Sequence, residues 1–71
     1  MARDYYEVRH LLLDGISLEV SADDFDEYDL RHLVEAAVEG DTTLYISDSG
    51  NLDEDDIRLI ADAGKENVVF L

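Results

Sequence analysis

The chain has no cysteine and no proline, only 5 basic residues, and no long apolar run. Each shortage excludes something. Without cysteine there can be no disulfide and no thiolate metal site, which fits a reducing compartment. No stretch approaches the roughly 18 apolar residues that a membrane-spanning helix needs. The start, Met-Ala-Arg-Asp-Tyr-Tyr, carries no apolar leader of the signal-peptide kind. Together these predict a cytoplasmic protein with no membrane association. With so few cations, direct binding to bare nucleic-acid phosphates or to anionic lipid is disfavoured, because both need positive surface. The lack of proline, linkers and low-complexity runs predicts a single domain over 1–71.

What is present is acid. There are 19 Asp and Glu, giving a formal net charge of -14 over 71 residues. Hydrophobic residues make up 46% of the chain, too many for a disordered acidic tail, so the expectation is a folded acidic protein. Charge of this density repels itself, keeps the molecule dispersed and favours a basic protein partner. Salt adaptation is the other explanation, since Asp outnumbers Glu and Lys65 is the only lysine. A chain this short buries only about 60% of its unfolded surface. Small cores of this size are usually reinforced by disulfides, metals or a partner.

One unit recurs: an apolar strand followed by an acid-fronted amphipathic helix. Leu18 and Val20 return as Leu44 and Ile46; Leu30, Arg31 and Leu33 return as Ile57, Arg58 and Ile60. A spacing of roughly 26–27 residues is a repeat signature. Residues 1–16 read as an N-terminal strand and hairpin turn, because Tyr6, Val8, His10 and Leu12 alternate and Asp14-Gly15 suits a tight turn. Residues 17–41 form the first βα repeat, and residues 42–71 the second repeat with a terminal strand. In the first helix Leu30, Leu33, Val34 and Ala37 make one apolar stripe. His32 and Glu35 lie off it, toward water. Asp24 or Asp26 serves as N-cap and Gly40 as a left-handed terminator. The predicted fold class is α/β, a two-layer sheet of about four strands: an N-terminal β-hairpin, then βαβαβ with right-handed crossovers and both helices on one face.

Residues 18–40 and 44–65 resemble leucine-rich repeats of the ribonuclease-inhibitor-like, strand-plus-helix type. The residues that carry the likeness are Leu18-x-Val20 with Phe25, Leu30, Leu33 and Ala37, and Leu44-x-Ile46 with Leu52, Ile57, Ile60 and Gly64. Asp23 and Ser49 stand where that family places a loop-bridging asparagine. The resemblance implies a protein-binding scaffold whose ligand surface is the helix-free side of the sheet.

Three surfaces are therefore candidates for contact. On the helix-free face, Glu19, Tyr45 and Phe70 are expected one per strand, and exposed aromatics among polar residues mark contact surfaces; the alternative is a last strand one residue out of that register, which would bury Phe70 and expose Val69 and Leu71. The helix starts gather Asp23, Asp24, Asp26, Glu27, Asp53, Glu54, Asp55 and Asp56, a row of carboxylates that could imitate nucleic-acid phosphates or meet a basic partner. The same acids also cap helices and keep the chain dispersed. Val68, Val69 and Leu71 form an edge strand open to homo-oligomerisation or strand addition. No catalytic, metal-binding or cofactor-binding motif is present. Asp48-Ser49-Gly50-Asn51-Leu52-Asp53 lacks the ligand order of a calcium loop, and His10 and His32 match no nucleophile or metal spacing. The function expected is non-enzymatic: an inhibitor or decoy of the immunity, antitoxin or nucleic-acid-mimic type. The alternative is a structural or adaptor subunit that docks through the bare sheet face and terminal edge.

Overall fold

A computed structural model of the chain describes residues 4–71. Met1 to Arg3, part of the stretch read as leaderless, lie outside it. The chain is mixed α/β, with α1 (Tyr5–Leu13), β1 (Leu18–Ser21), α2 (Glu27–Glu39), β2 (Leu44–Ser47), α3 (Glu54–Gly64) and β3 (Val68–Phe70). Short 3-10 turns at Ser49–Asn51 and Lys65–Asn67 flank α3. The strands form one parallel three-stranded sheet in the order β1-β2-β3. The helices follow the same order, α1 packing on α2 and α2 on α3.

The expected N-terminal strand is a helix, so the sheet has three strands rather than about four. Asp4 caps α1 by accepting the Glu7 backbone N–H at 2.8 Å. Val8 and Leu12, four residues apart, are fully buried in the core. That spacing satisfies strand alternation and helical periodicity alike, and the cap decides between them. Asp14-Gly15 ends the helix instead of turning a hairpin. The Ile16 N–H donates to Leu11 O and the Gly15 N–H to Leu12 O, both at 3.0 Å, with Gly15 at φ 87°. This Schellman pattern recurs at the end of α2, where Thr42 N–H reaches Ala37 O and Asp41 N–H reaches Val38 O. The repeated unit is thus a helix followed by a strand, present three times.

The left-handed residue after α2 is Asp41, at φ 56°, and not Gly40. Gly40 has φ -82° and is needed for another reason. A Cβ there would lie 1.8 Å from Leu12 O and 2.9 Å from Leu12 C, so only glycine lets α2 end against the last turn of α1. Gly64 plays a similar part between α3 and α2, where a Cβ would come within 2.8 Å of Val34 Cβ.

Leu30, Leu33, Val34 and Ala37 of α2 are buried as their spacing predicts, and Ala36 joins them because α2 has a helix on either side. With Val8, Leu12, Val20, Leu44, Ile46 and Ile60 they form one core. Burying each large aliphatic is worth about 1.5–3 kcal/mol. Asp26, one of the two expected caps, accepts Asp29 N–H at 2.8 Å. Asp53 stands at the start of α3 without a side-chain cap bond. Among the described residues no helix is long and apolar enough to cross a membrane.

Candidate protein-binding surface

Strand register decides which side chains face out. Glu19, Tyr45 and Val69 align across the sheet, as do Val20, Ile46 and Phe70. Glu19 and Tyr45 are exposed, as expected. Phe70 is not on that face. It packs against the core, and Val69, 38% exposed like Tyr45, takes the outer place. The reason is the tight turn at Lys65–Asn67, which brings Val68 level with Leu44 and sets the alternation one residue away from that expected. Val68 is accordingly 9% exposed and belongs to the core, leaving Val69 of the last strand and Leu71 just after it exposed.

Side-chain bonds tie the loops that follow the strands. Asn51 Nδ2 donates to Asp23 Oδ1 at 2.8 Å, Ser21 Oγ to Asp48 Oδ2 at 2.7 Å, and Ser49 Oγ to Leu71 O at 2.8 Å. Before the strands, Thr43 N–H donates to Ser17 Oγ, Ser17 and Thr42 hydroxyls pair, and Asn67 Nδ2 donates to Thr42 O. The first set holds the start of α3 beside that of α2.

The acids at these helix starts are unequally committed. Asp26 is spent on its cap and Asp23 on Asn51. Glu27 pairs with Arg31 at 3.3 Å and Glu54 with Arg58 at 2.7 Å, exposed one-turn pairs worth about 0.3–0.5 kcal/mol. The carboxylates of Asp24, Asp53, Asp55 and Asp56 make no hydrogen bond or ion pair among the described residues. Desolvation, then the like charges of Asp53, Glu27 and Asp55, raise the Asp56 carboxyl above its ordinary 3.8. Glu27 belongs to α2, so repulsion spans the two helix starts. No group of three or more His, Cys, Asp or Glu among the described residues is arranged to hold a metal ion.

A pH dependence follows. A carboxyl raised in the fold binds its proton more tightly folded than unfolded, so its charge opposes folding as pH rises through the window just above 3.8. Asp56→Asn should therefore raise the thermal midpoint at neutral pH, and the gain should shrink as acid is added toward that window. Thermal melts of both proteins across pH check this. Equal midpoints at neutral pH would contradict it.

Not foreseen from the sequence is an open groove of about 510 Å³ between α1 and α2, lined by Tyr5, Tyr6, Arg9, Tyr28, Asp29 and His32. His32 Nδ1–H donates to Tyr28 O at 2.9 Å, and the two rings lie 4.4 Å apart. His32 is half-buried rather than turned to water. Sequence signals for this site existed: Asp4-x-x-Glu7 is a helix-start pattern, and Tyr28 and His32 are one turn apart. They become a site only when residues 5–13 are read as a helix.

The fold and surfaces define a small acidic α/β protein of three helix–strand units with a partly exposed aromatic on its sheet. No family model matches the chain, and no curated protein or solved structure matches it.

Proposed function

We propose that this is a non-enzymatic, cytoplasmic protein-binding module that recruits or blocks a basic partner, as inhibitors and decoys of the immunity, antitoxin or nucleic-acid-mimic type do. The observation that carries this reading is geometric: in a chain of net charge -14, the loop bonds Asn51–Asp23 and Ser21–Asp48 hold the acidic starts of α2 and α3 side by side, and the carboxylates of Asp24, Asp53, Asp55 and Asp56 have no basic partner among the described residues. Uncompensated carboxylates held together by loop bonds cost stability in the free protein. A partner's Lys and Arg would offset that cost on binding and speed the encounter. The row Glu19, Tyr45 and Val69 would supply the less polar part of the contact.

The finer architecture belongs to the same reading. With right-handed crossovers and the helices together on one face, the opposite face of the sheet is left for a ligand. The likeness to leucine-rich repeats agrees with a parallel sheet of sequential neighbours whose loops are bridged by Asp23 and Ser49.

The test compares the protein with two variants, Asp53→Asn/Asp55→Asn/Asp56→Asn and Tyr45→Ser, as immobilised bait for the source cell's proteins. One dominant basic protein should be retained by the native bait and weakened by both variants. Retention of the same protein by the acid-neutralised bait would remove the electrostatic reading. A second reading, an oligomerising or adaptor subunit, is favoured by the exposed Val69 of the last strand and Leu71 beyond its end, Leu71 at 58%. Light scattering that finds a dimer abolished by Leu71→Ser would move the balance to it.

A further inference from the structure

The groove between α1 and α2 holds two opposite charges that do not use each other. Two other arginines of this acid-rich chain are paired, Arg31 with Glu27 and Arg58 with Glu54. Arg9 is half-buried, yet among the described residues it has neither an ion pair nor a hydrogen bond. The Asp29 carboxylate, across the groove on α2, also has no hydrogen bond or ion pair there; the bond between Asp29 and the Asp26 cap is made by the Asp29 backbone N–H. Both charges act on the Tyr5 hydroxyl: burial raises its pKa most, Arg9 lowers it, and Asp29, Tyr6 and Tyr28 raise it further. Three of the chain's 4 tyrosines line this one groove. Its volume of about 510 Å³ falls within the usual range of small-molecule sites.

Charge narrows the occupant. A simple anion would suit Arg9 but approaches a molecule of net charge -14. A simple cation would suit the tyrosine faces and Asp29 but meets Arg9. A zwitterion has no net charge to be repelled and satisfies both groups. Arginine's fork takes a carboxylate through two parallel N–H donors, a carboxylate takes an ammonium, and tyrosine rings take a flat apolar body by offset or edge contact. We propose that this groove binds a free α-amino acid with an aromatic side chain, its carboxylate on Arg9, its ammonium on Asp29 and its ring among Tyr5, Tyr6 and Tyr28. The groove shares the first turn of α2 through Asp29 but uses none of the acids assigned to the basic partner, and it stands whether or not that partner exists.

The chain has no tryptophan, so its intrinsic emission comes from tyrosine. L-phenylalanine does not absorb where tyrosine is excited at long wavelength, so the full chain can be titrated directly. A saturable change in emission is expected with L-phenylalanine. Binding about tenfold weaker or worse is expected with its amide, which lacks the carboxylate, and with its N-acetyl derivative, which lacks the ammonium. Arg9→Gln should reproduce the first loss and Asp29→Asn the second. Circular dichroism confirms that each variant folds; if Asp29→Asn does not, the ligand pair and Arg9→Gln still decide. Equal binding of either derivative, tighter binding of the cationic amide, or no saturable change would overturn the proposal.

Discussion

Gly40→Ala should destabilise the protein by about 3 kcal/mol or more, at the upper end of what overpacking costs. The added methyl would sit 1.8 Å from Leu12 O, 2.9 Å from Leu12 C and 3.1 Å from Leu13 Cα. These are backbone atoms of the last turn of α1, so no side chain can swing aside to make room. Gly40 has φ -82°, a conformation alanine adopts freely, so the whole effect is steric. Gly50→Ala is the matching control: nothing lies within 4 Å of a Cβ there. Urea denaturation of the two variants should give a large fall in midpoint for the first and almost none for the second. For a domain whose total stability is on the order of 5–15 kcal/mol, the first change removes a large share. A Gly40→Ala protein as stable as the native one would mean that α1 and α2 do not end against each other.

Leu12→Ala should cost about 2–5 kcal/mol, the range for large-to-small changes at fully buried aliphatic sites. Leu12 is 0% exposed and lies in one core with Val8, Leu33 and Val34. The informative comparison is Tyr6→Ser. An alternating strand would bury Tyr6 on the same face as Val8 and Leu12, and both changes would then be costly. The helix leaves Tyr6 72% exposed, and substitutions at such sites usually stay within about 0.5 kcal/mol. A large loss for Leu12→Ala with a small one for Tyr6→Ser is the signature of the helix. Comparable losses at both would argue for the strand.

Residues 5–13 fit two periods at once in the sequence and form a helix in the fold. Val8 and Leu12 are compatible with either period, and the exposed Tyr6 and His10 complete a false alternation. Asp4 followed by Glu7 was the local sign that favoured a helix, and it outweighs the alternation once the cap bond is considered. By contrast, α2 and α3 were legible because each sustains a helical stripe over several turns, and β1 and β2 because their inward residues repeat as Leu18/Leu44 and Val20/Ile46. The last strand was found but set one residue out. A shorter connection through Lys65–Asn67 is invisible to alternation within a three-residue strand, and it moved Phe70 inward and Val69 outward. The acidic helix starts were fully legible, being consecutive in the chain. The groove was not, since its tyrosines and charges come from two helices, one of which carries an alternation in sequence that predicts a strand.

With a helix as its first segment, the chain needs something different from a partner. Three helix–strand units in sequential order meet the number that stacked repeats generally need to be stable. A partner is then not required to complete the core. What it would relieve is the crowding of carboxylates at the starts of α2 and α3. The claim can be tested by following the affinity for the captured basic protein as salt is raised from about 0.01 M to about 1 M, where the screening length falls from about 30 Å to about 3 Å. The account predicts a steep fall in affinity for the native protein and a shallower one for Asp53→Asn/Asp55→Asn/Asp56→Asn. Affinity that is indifferent to salt, or an identical slope for the two proteins, would contradict it.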